Sequence, residues 1–388
     1  MAAASPAAAS VMAAASVMAA GPVVLRFLYT KKGDDGHTLF RAEMAFRTVF
    51  GNIRLDAADE TYLENYEHID GTSIISVCRG GIVMAGKDTT TGERRCVKII
   101  NLNIVRREDL VVNQGERKLE GEVHNEVQVN TKLRDELAVN LAAHHGAGNV
   151  ARCYNITEDN ELQNLVFVQD LCDQGDLYDF VDKRKRAGQP LTLPELEQLK
   201  GQLCAGLACM HAAGVAHLDI SVENVMLAAH PDPGALGPGM LPFVVKLIDF
   251  GQSRVMQPVG AALSMKIGFW SCGKATAISP QVADIQYAPR PPGAPPAMAP
   301  NQHVPGFTMT IQPFPADVWS VGCVLYVLAY FTHPYNMAVQ GYPGFDALVA
   351  GQFPANPAYP PAFQTLLSAI FRNDPAQRPT AQQLCGQP

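Results

Sequence analysis

The stretch "HLDISVEN" at positions 217–224 sets three polar residues among apolar, strand-forming neighbours. They are His217, Asp219 and Asn224, with a serine between the aspartate and the asparagine. A second polar segment follows at Asp249, in "LIDFGQS". Buried polar side chains destabilise a fold unless they have compensating partners. The two segments therefore indicate a site rather than part of a core.

Composition narrows the classes of function. The chain has 388 residues, 17% of them charged, and a formal net charge of −7. It has no basic excess of the kind that neutralises nucleic-acid phosphates, so nucleic acid is not an expected partner. No apolar run approaches the roughly 20 residues of a membrane span, and we expect none. The nine cysteines show no ligand-like spacing and indicate a reducing, cytoplasmic location.

The N-terminal part differs in composition from the rest of the chain. Residues 1–21 form an alanine-rich, low-complexity tail. An organelle-targeting role for this tail stays open, although no basic region precedes its apolar residues. Residues 22–65 are predicted to be an appendage, a β-hairpin about the turn "KKGDDG".

From position 66 to 385, short β-rich runs precede a long helical half, which predicts an α+β fold. We expect a small β-rich lobe at about 66–171 and a larger helical lobe at about 172–385. Insertions are predicted as loops near 101–120, 230–242 and 285–312.

Two helices are predicted in the second half. Thr192 and Glu195 make a capping box, and leucines recur after them at helical spacing. The segment 318–331 is apolar nearly all round, as in a helix buried at the centre of a lobe.

The polar residues suit one chemistry. An asparagine and an aspartate, Asn224 and Asp249, offer the hard oxygen ligands that Mg²⁺ prefers. The other aspartate, Asp219, is suited to orient an attacking hydroxyl, and Lys98 in "CVKII" to neutralise phosphate charge. The pattern indicates phosphoryl transfer.

The chain from about residue 70 resembles a eukaryotic-type protein kinase domain, because four motifs of that family occur in it in the family's order. They are "HLDISVEN" at 217–224, "DFG" at 249–251, "DVWSVG" at 317–322 and "RPT" at 378–380. The resemblance implies the bilobal protein-kinase-like fold, with ATP and Mg²⁺ as cofactors. It also implies that Asp219 is the catalytic base.

The same resemblance assigns the groups that bind nucleotide and metal. Asn224 and Asp249 would hold Mg²⁺. Lys98 would contact the α- and β-phosphates, held by Glu126 or, one turn earlier, by Glu122. The phosphate loop "SVCRGGIV" and the segment between the lobes supply the remaining implied nucleotide contacts: Ser76, Cys78, Gly81 and Val83, then Gln169, Asp170, Cys172 and Asp176.

This chain departs from the family pattern inside its catalytic loop. Ser221 stands where serine/threonine kinases carry a lysine, and Lys274 stands where their substrate loop carries a threonine. We interpret this as a swap, in which Lys274 enters the site, contacts the Ser221 hydroxyl and restores the missing positive charge. The alternative is a solvated loop lysine in a weakened enzyme.

Other departures affect the phosphate loop and the large lobe. Ser76 and Cys78 replace two loop glycines, which should weaken the grip on nucleotide. Leu218 replaces the usual arginine, so we expect regulation that does not depend on activation-segment phosphate. With Gln281 replacing a glutamate, Arg378 would make a hydrogen bond in place of an ion pair.

The sequence predicts an ATP-dependent serine/threonine kinase with protein substrates. Asp176 and Glu223 would form an acidic rim favouring basic residues upstream of the target hydroxyl. Two alternatives stay open: a pseudokinase that binds nucleotide or acts as a scaffold, and a kinase of small molecules. The oligomeric state is not determined by the sequence.

Overall fold

The computed structural model describes most of the chain. It covers residues 24–32, 36–55, 74–111, 118–140, 146–256, 265–267, 273–286 and 309–386. The predicted tail at 1–21 lies outside these ranges, as do residues 22–23, 33–35 and 56–65 of the predicted appendage.

The chain divides into two compact units. The first comprises Met1–Val111 and Asn155–Gln169, and the second comprises Val112–Tyr154 and Asp170–Pro388. The β-rich part precedes the helical part, and this order confirms the α+β class.

The first unit is built on β-strands. Strands β1 and β2 pair as an antiparallel hairpin, and the others form a sheet of order β3-β4-β6-β7-β9-β8, with β5 also paired to β6. The division between the units passes through β8 and β9. The strands are β1 Val24–Lys32, β2 Thr38–Arg47, β3 Val49–Phe50, β4 Ile53–Leu55, β5 Ile74–Cys78, β6 Gly81–Asp88, β7 Arg94–Asn101, β8 Cys153–Asp159 and β9 Asn164–Asp170.

A helix, α1 at Leu102–Val111, follows β7 directly. The loop predicted near 101–120 is therefore wrong for these residues. Ile104 and Val105 are buried, and so is Glu108 one turn later on the same face of the helix. This face packs within the first unit. The sequence "VRREDL" suggested a loop because its charge conceals the short buried stripe.

The second unit is mainly helical, with small antiparallel pairs between its helices. The helices are α2 Lys118–Asn140, α3 Leu177–Arg186, α4 Leu193–Ala212, α5 Pro280–Gln286, α6 Pro313–Tyr330, α7 Pro343–Val349, α8 Pro361–Ile370 and α9 Ala381–Cys385. The strand pairs are β10 Val215–Ala216 with β13 Arg254–Val255, β11 Val225–Ala229 with β12 Phe243–Leu247, and β14 Met265–Ile267 with β15 Met309–Ile311.

Both predicted helices are present. Helix α4 begins at the capping box of Thr192 and Glu195, in which each side chain bonds the other residue's backbone N–H. Helix α6 is the core helix: Trp319 is completely buried, and its ring meets Phe371 edge to face at 4.9 Å. By length and composition α6 could span a membrane, but 83% of it is buried inside the protein, as expected of a core helix.

The other predicted insertions are described in part. Residues 230–242 form a loop with a short 3-10 turn at Pro233–Ala235. Of 285–312, the described residues are the end of α5, the strand β15 and Gln312, while 287–308 lie outside the described residues.

Candidate active site

The polar stretch at 217–224 lies between β10 and β11, with a 3-10 turn at Val222–Asn224. His217 is fully buried there. Its Nε2 donates to the carbonyl of Ile248 at 3.0 Å, and its Nδ1 accepts from the backbone N–H of Asp219 at 3.3 Å. Burial lowers the pKa of His217, so the ring is neutral. It links the two polar segments as a packed support.

Asp317, on α6, fixes the backbone of this loop. Its fully buried carboxylate accepts from the backbone N–H of His217 at 2.8 Å and of Leu218 at 2.7 Å, and from His211 Nε2 at 2.9 Å. Leu218 has φ 62, in the left-handed region that a bulky residue rarely adopts. The carboxylate holds this strained residue, which turns the next side chain, Asp219, into the site.

Asn224 orients the Asp219 carboxylate. The Asn224 Nδ2 donates to the Asp219 carbonyl and to Asp219 Oδ2, both at 2.8 Å. Asp219 Oδ1 is buried and has no hydrogen-bond partner among the described residues. Burial, with a further contribution from the Asp249 charge, raises the pKa of Asp219 to about 7. An aligned carboxylate oxygen without a partner suits a group that receives a proton from a bound hydroxyl.

Asp249 begins a tight turn with φ 62, and its Oδ1 accepts from the backbone N–H of Gly251 at 3.4 Å. Asn125 on α2 secures this turn, because its Nδ2 donates to the carbonyls of Phe250 at 3.3 Å and Gly251 at 3.0 Å. Our sequence analysis missed Asn125. The available signal was its place next to Glu126, as a polar residue on a helix face that packs inward.

The residues at the proposed metal position fit Mg²⁺. Both hydrogen bonds of the Asn224 amide leave through Nδ2, so its Oδ1 faces away from Asp219. The exposed Asp249 carboxylate supplies the second hard oxygen. Among the described residues no three His, Cys, Asp or Glu side chains cluster as a metal site. Two protein ligands completed by phosphates and water are the usual arrangement for Mg²⁺.

Lys274 lies beside the catalytic loop. Its Nζ donates to Ser221 Oγ at 2.9 Å and pairs with Glu223 Oε2 at 2.9 Å. The preceding Gly273 has φ +79, and a Cβ there would lie 3.1 Å from the carbonyl of Leu218. Only glycine allows the chain to pass so close to the loop. The contact anticipated for Lys274 and Ser221 is present, and the catalytic role of Lys274 stays a prediction.

In the first unit, the predicted phosphate loop is the hairpin of β5 and β6. Val83 pairs across the sheet with Lys98, whose Nζ lies 5.9 Å from the centre of the Phe167 ring. Cys78 pairs with Gly81, where a Cβ would lie 1.9 Å from the carbonyl of Ile99. Glycine at 81 is thus required by the sheet itself. Ser76 is exposed and Cys78 half-buried.

The glutamates proposed for Lys98 lie on α2, in the second unit. Glu126 is 4% exposed and Glu122 is 9% exposed. The choice of Glu126 over Glu122 remains a prediction.

The second segment with implied nucleotide contacts begins at the end of β9 with Gln169, which is half-buried, as is Cys172. Asp170 is an anchor. Its carboxylate pairs with Lys246 at 2.7 Å and accepts from the Tyr154 hydroxyl at 2.8 Å. Burial raises the pKa of Asp170, but the Lys246 charge and the hydrogen bonds outweigh it, so the pKa is lowered. The ionised carboxylate fixes the backbone that precedes Cys172.

Asp176 caps α3, because its Oδ1 accepts from the backbone N–H of Asp179 at 2.7 Å. Burial, followed by repulsion from Asp179 and Glu223, raises the pKa of Asp176. Lys274 pairs with Glu223, and the acidic rim of Asp176 and Glu223 stays a prediction.

Comparison with known proteins identifies this arrangement. A model described as the protein kinase domain matches residues 79–273, half of the chain. The chain belongs to the protein kinase family. This result confirms the resemblance inferred from the motifs and the protein-kinase fold.

The chain has distant curated relatives. Serine/threonine-protein kinase 16 of Rattus norvegicus is 27% identical over 212 residues, 53% of this chain and 59% of that protein. The Homo sapiens protein of that name is 27% identical over 210 residues, with the same shares. Serine/threonine-protein kinase PLK4 of Danio rerio is 22% identical over 315 residues, 79% of this chain and 25% of that protein. The kinase thus spans less than two thirds of each.

Proposed function

We propose that this kinase is catalytically active and transfers the γ-phosphate of ATP to serine or threonine hydroxyls of proteins. One observation carries the proposal: Lys274 Nζ donates to Ser221 Oγ. A positive charge therefore lies beside the catalytic loop, although the loop itself lacks a lysine. The roles of base, metal ligand and charge carrier all have an occupant. A chain that had lost catalysis would not need all three.

The proposed chemistry is a single displacement. Asp219 Oδ1 accepts the proton of the substrate hydroxyl as its oxygen forms a bond to the γ-phosphorus. The bond from phosphorus to the β–γ bridging oxygen breaks, and ADP leaves. Asn224 and Asp249 would hold Mg²⁺, which would neutralise charge on the phosphates. Lys274 stabilises the negative charge that spreads over the transferred group.

Two features support serine/threonine rather than tyrosine specificity. Glu223 directly precedes Asn224, as in the serine/threonine form of the catalytic loop. The curated relatives named above are serine/threonine kinases, although each match is distant. We propose protein substrates on the same basis.

A pseudokinase is the second candidate. Specific substitutions favour it: Ser76 and Cys78 in the phosphate loop, Leu218 and Ser221 in the catalytic loop, and Gln281 after the substrate loop. Such a protein would bind nucleotide, or none, and act as a scaffold. The two candidates predict different outcomes in one assay.

That assay measures the transfer of radiolabel from γ-labelled ATP to generic protein substrates in the presence of MgCl₂. The wild-type chain should label serine and threonine. Asp219→Asn should lose about 10³-fold or more of the rate, because it removes the base and leaves the shape of the side chain. Asp249→Asn should raise the Mg²⁺ concentration needed for half-maximal rate.

Equal labelling by wild type and Asp219→Asn would leave the pseudokinase as the better account. Labelling of a small molecule but of no protein would favour the third candidate. Asp346→Asn is the matched control and should keep the wild-type rate, because this exposed carboxylate accepts from the backbone N–H of Gly341 at 3.1 Å and, within the described ranges, from no other group.

A further inference from the structure

The tip of the phosphate loop is packed within the first unit. It is the turn between β5 and β6, and its residue Gly80 is buried, with φ +70. The Gly80 carbonyl accepts from the backbone N–H of Asn101 at 2.9 Å. A Cβ on Gly80 would lie 2.4 Å from Val105 Cγ2 on α1. The end of β7 and the helix α1 therefore hold the tip from two sides.

The N-terminal hairpin makes a third contact with the tip. The backbone N–H of Gly80 donates to the hydroxyl of Tyr29, on β1, at 3.3 Å. That hydroxyl donates in turn to Glu108 Oε2 at 3.1 Å, and Glu108 Oε1 pairs with Lys31 at 2.6 Å. Glu108 thus directs the hydroxyl proton away from Gly80 and leaves an oxygen lone pair for it.

The surroundings keep this acceptor in place. Tyr29 is 4% exposed and Glu108 is 2% exposed. Burial, with the Glu108 charge as a further cause, raises the pKa of Tyr29, so the hydroxyl stays neutral. The β1–β2 hairpin, the helix α1 and the tip of the phosphate loop are thus joined by hydrogen bonds and packing.

We propose that Tyr29 is a positioning residue that holds the tip of the phosphate loop against α1 and competes with nucleotide phosphate for the N–H of Gly80. The proposal rests on the proposed function, since it concerns ATP binding at the same loop. Backbone N–H groups at a glycine turn are the donors with which such loops hold phosphates. Gly80 has one such proton, and Tyr29 occupies it.

The strength of the contact suits a latch that nucleotide can open. At 3.3 Å between neutral groups, the Gly80 to Tyr29 bond is long. A bond to phosphate is charge-assisted and roughly twice as strong. ATP therefore displaces Tyr29 at a modest loss of affinity, and any event that moves β1 changes the affinity for ATP.

Tyr29→Phe tests the proposal because it removes the hydroxyl and keeps the ring. The dissociation constant of Mg-ATP, measured by calorimetry, and the KM for ATP should both fall about twofold to tenfold, the range for one net hydrogen bond. The kcat should stay within about twofold, because the bond is already broken when ATP is bound. An unchanged or weaker affinity for Mg-ATP would overturn the proposal.

Two further variants support the reading. Glu108→Gln removes the charge that orients the Tyr29 hydroxyl, and it should also tighten Mg-ATP binding. This variant tests the proposal should Tyr29→Phe fail to fold. Tyr359→Phe is the matched control, because the Tyr359 hydroxyl is also buried and donates to the carbonyl of Leu191 at 3.0 Å, in the second unit. Its affinity for Mg-ATP should equal that of wild type.

Amide hydrogen exchange separates this proposal from the proposed function. If neither wild type nor variant bound Mg-ATP, the proposed function would fail. Exchange at residues 79–81 would then decide the contact itself. Faster exchange in Tyr29→Phe, with the rest of β6 unchanged, supports the latch, and equal exchange at the tip overturns it.

Discussion

The Nζ of Lys274 donates to Ser221 Oγ at 2.9 Å across 53 positions of sequence. The same ammonium pairs with Glu223 Oε2 at 2.9 Å. Its side chain is 37% exposed, so the pair contributes little to stability. The contact matters instead because it places the Lys274 charge beside the catalytic loop. Lys274 lowers the pKa of Asp219, against burial and Asp249, which raise it and are the larger causes.

The buried carboxylate of Asp317 should be essential to the loop. Asp317→Asn replaces one acceptor oxygen by a donor that faces the backbone N–H of either His217 or Leu218. We expect a loss of about 2–3 kcal/mol in the free energy of unfolding, because a buried donor is left unsatisfied. Urea denaturation measures this. The exposed control Asp346→Asn should change it by about 0.5 kcal/mol or less, and a similarly small loss in Asp317→Asn would contradict the account.

Substrate preference should depend on the acidic rim. Peptide arrays should show a preference for basic residues upstream of the target hydroxyl, and Asp176→Asn should weaken it, because asparagine keeps the cap of α3 and removes only the charge. The control is Asp182→Asn, also on α3, where the carboxylate pairs with Arg186 at 2.7 Å. Arrays without any basic preference in the wild type would refute this prediction.

The hydrogen bond from Arg378 to Gln281 should stabilise the helical unit. Arg378 Nη2 donates to Gln281 Oε1 at 2.8 Å, and burial lowers the pKa of Arg378 to about 10. Gln281→Ala removes this acceptor from the guanidinium of Arg378, a residue that is 7% exposed. We expect a loss of about 1–3 kcal/mol in unfolding free energy by urea denaturation. The exposed control Gln352→Ala should lose about 0.5 kcal/mol or less, and an equal effect of the two would contradict the role given to Gln281.

Local sequence signals predicted much of the fold and the site. Each of these signals comes from residues that are close together in the sequence. They are the capping box at Thr192, the apolar helix after residue 317 and the motifs around Asp219 and Asp249. The hydrogen bond between Arg378 and Gln281, 97 positions apart, was inferred instead from the family resemblance, because Gln281 stands where the family has the glutamate that pairs with this arginine.

The parts that sequence did not predict depend on contacts between distant positions. Asp317 meets His217 across 100 positions, and Asn125 meets Phe250 across 125. Tyr29 meets Gly80 across 51. No periodicity or spacing encodes such pairs, because they arise only once the elements have packed. Helix α1 was missed for a related reason: its buried Glu108 reads as a solvent-exposed charge until Tyr29 and Lys31 are placed beside it.

The central claim is that Lys274 supplies the charge that Ser221 does not. Lys274→Thr should lower the kcat for protein phosphorylation by about 10²-fold, as for other deletions of a charge-stabilising group. The double variant Ser221→Lys with Lys274→Thr returns the lysine to the catalytic loop and should recover most of that rate. Steady-state kinetics of the wild type and the two variants measures this directly. An unchanged kcat in Lys274→Thr, or no recovery in the double variant, would contradict the claim.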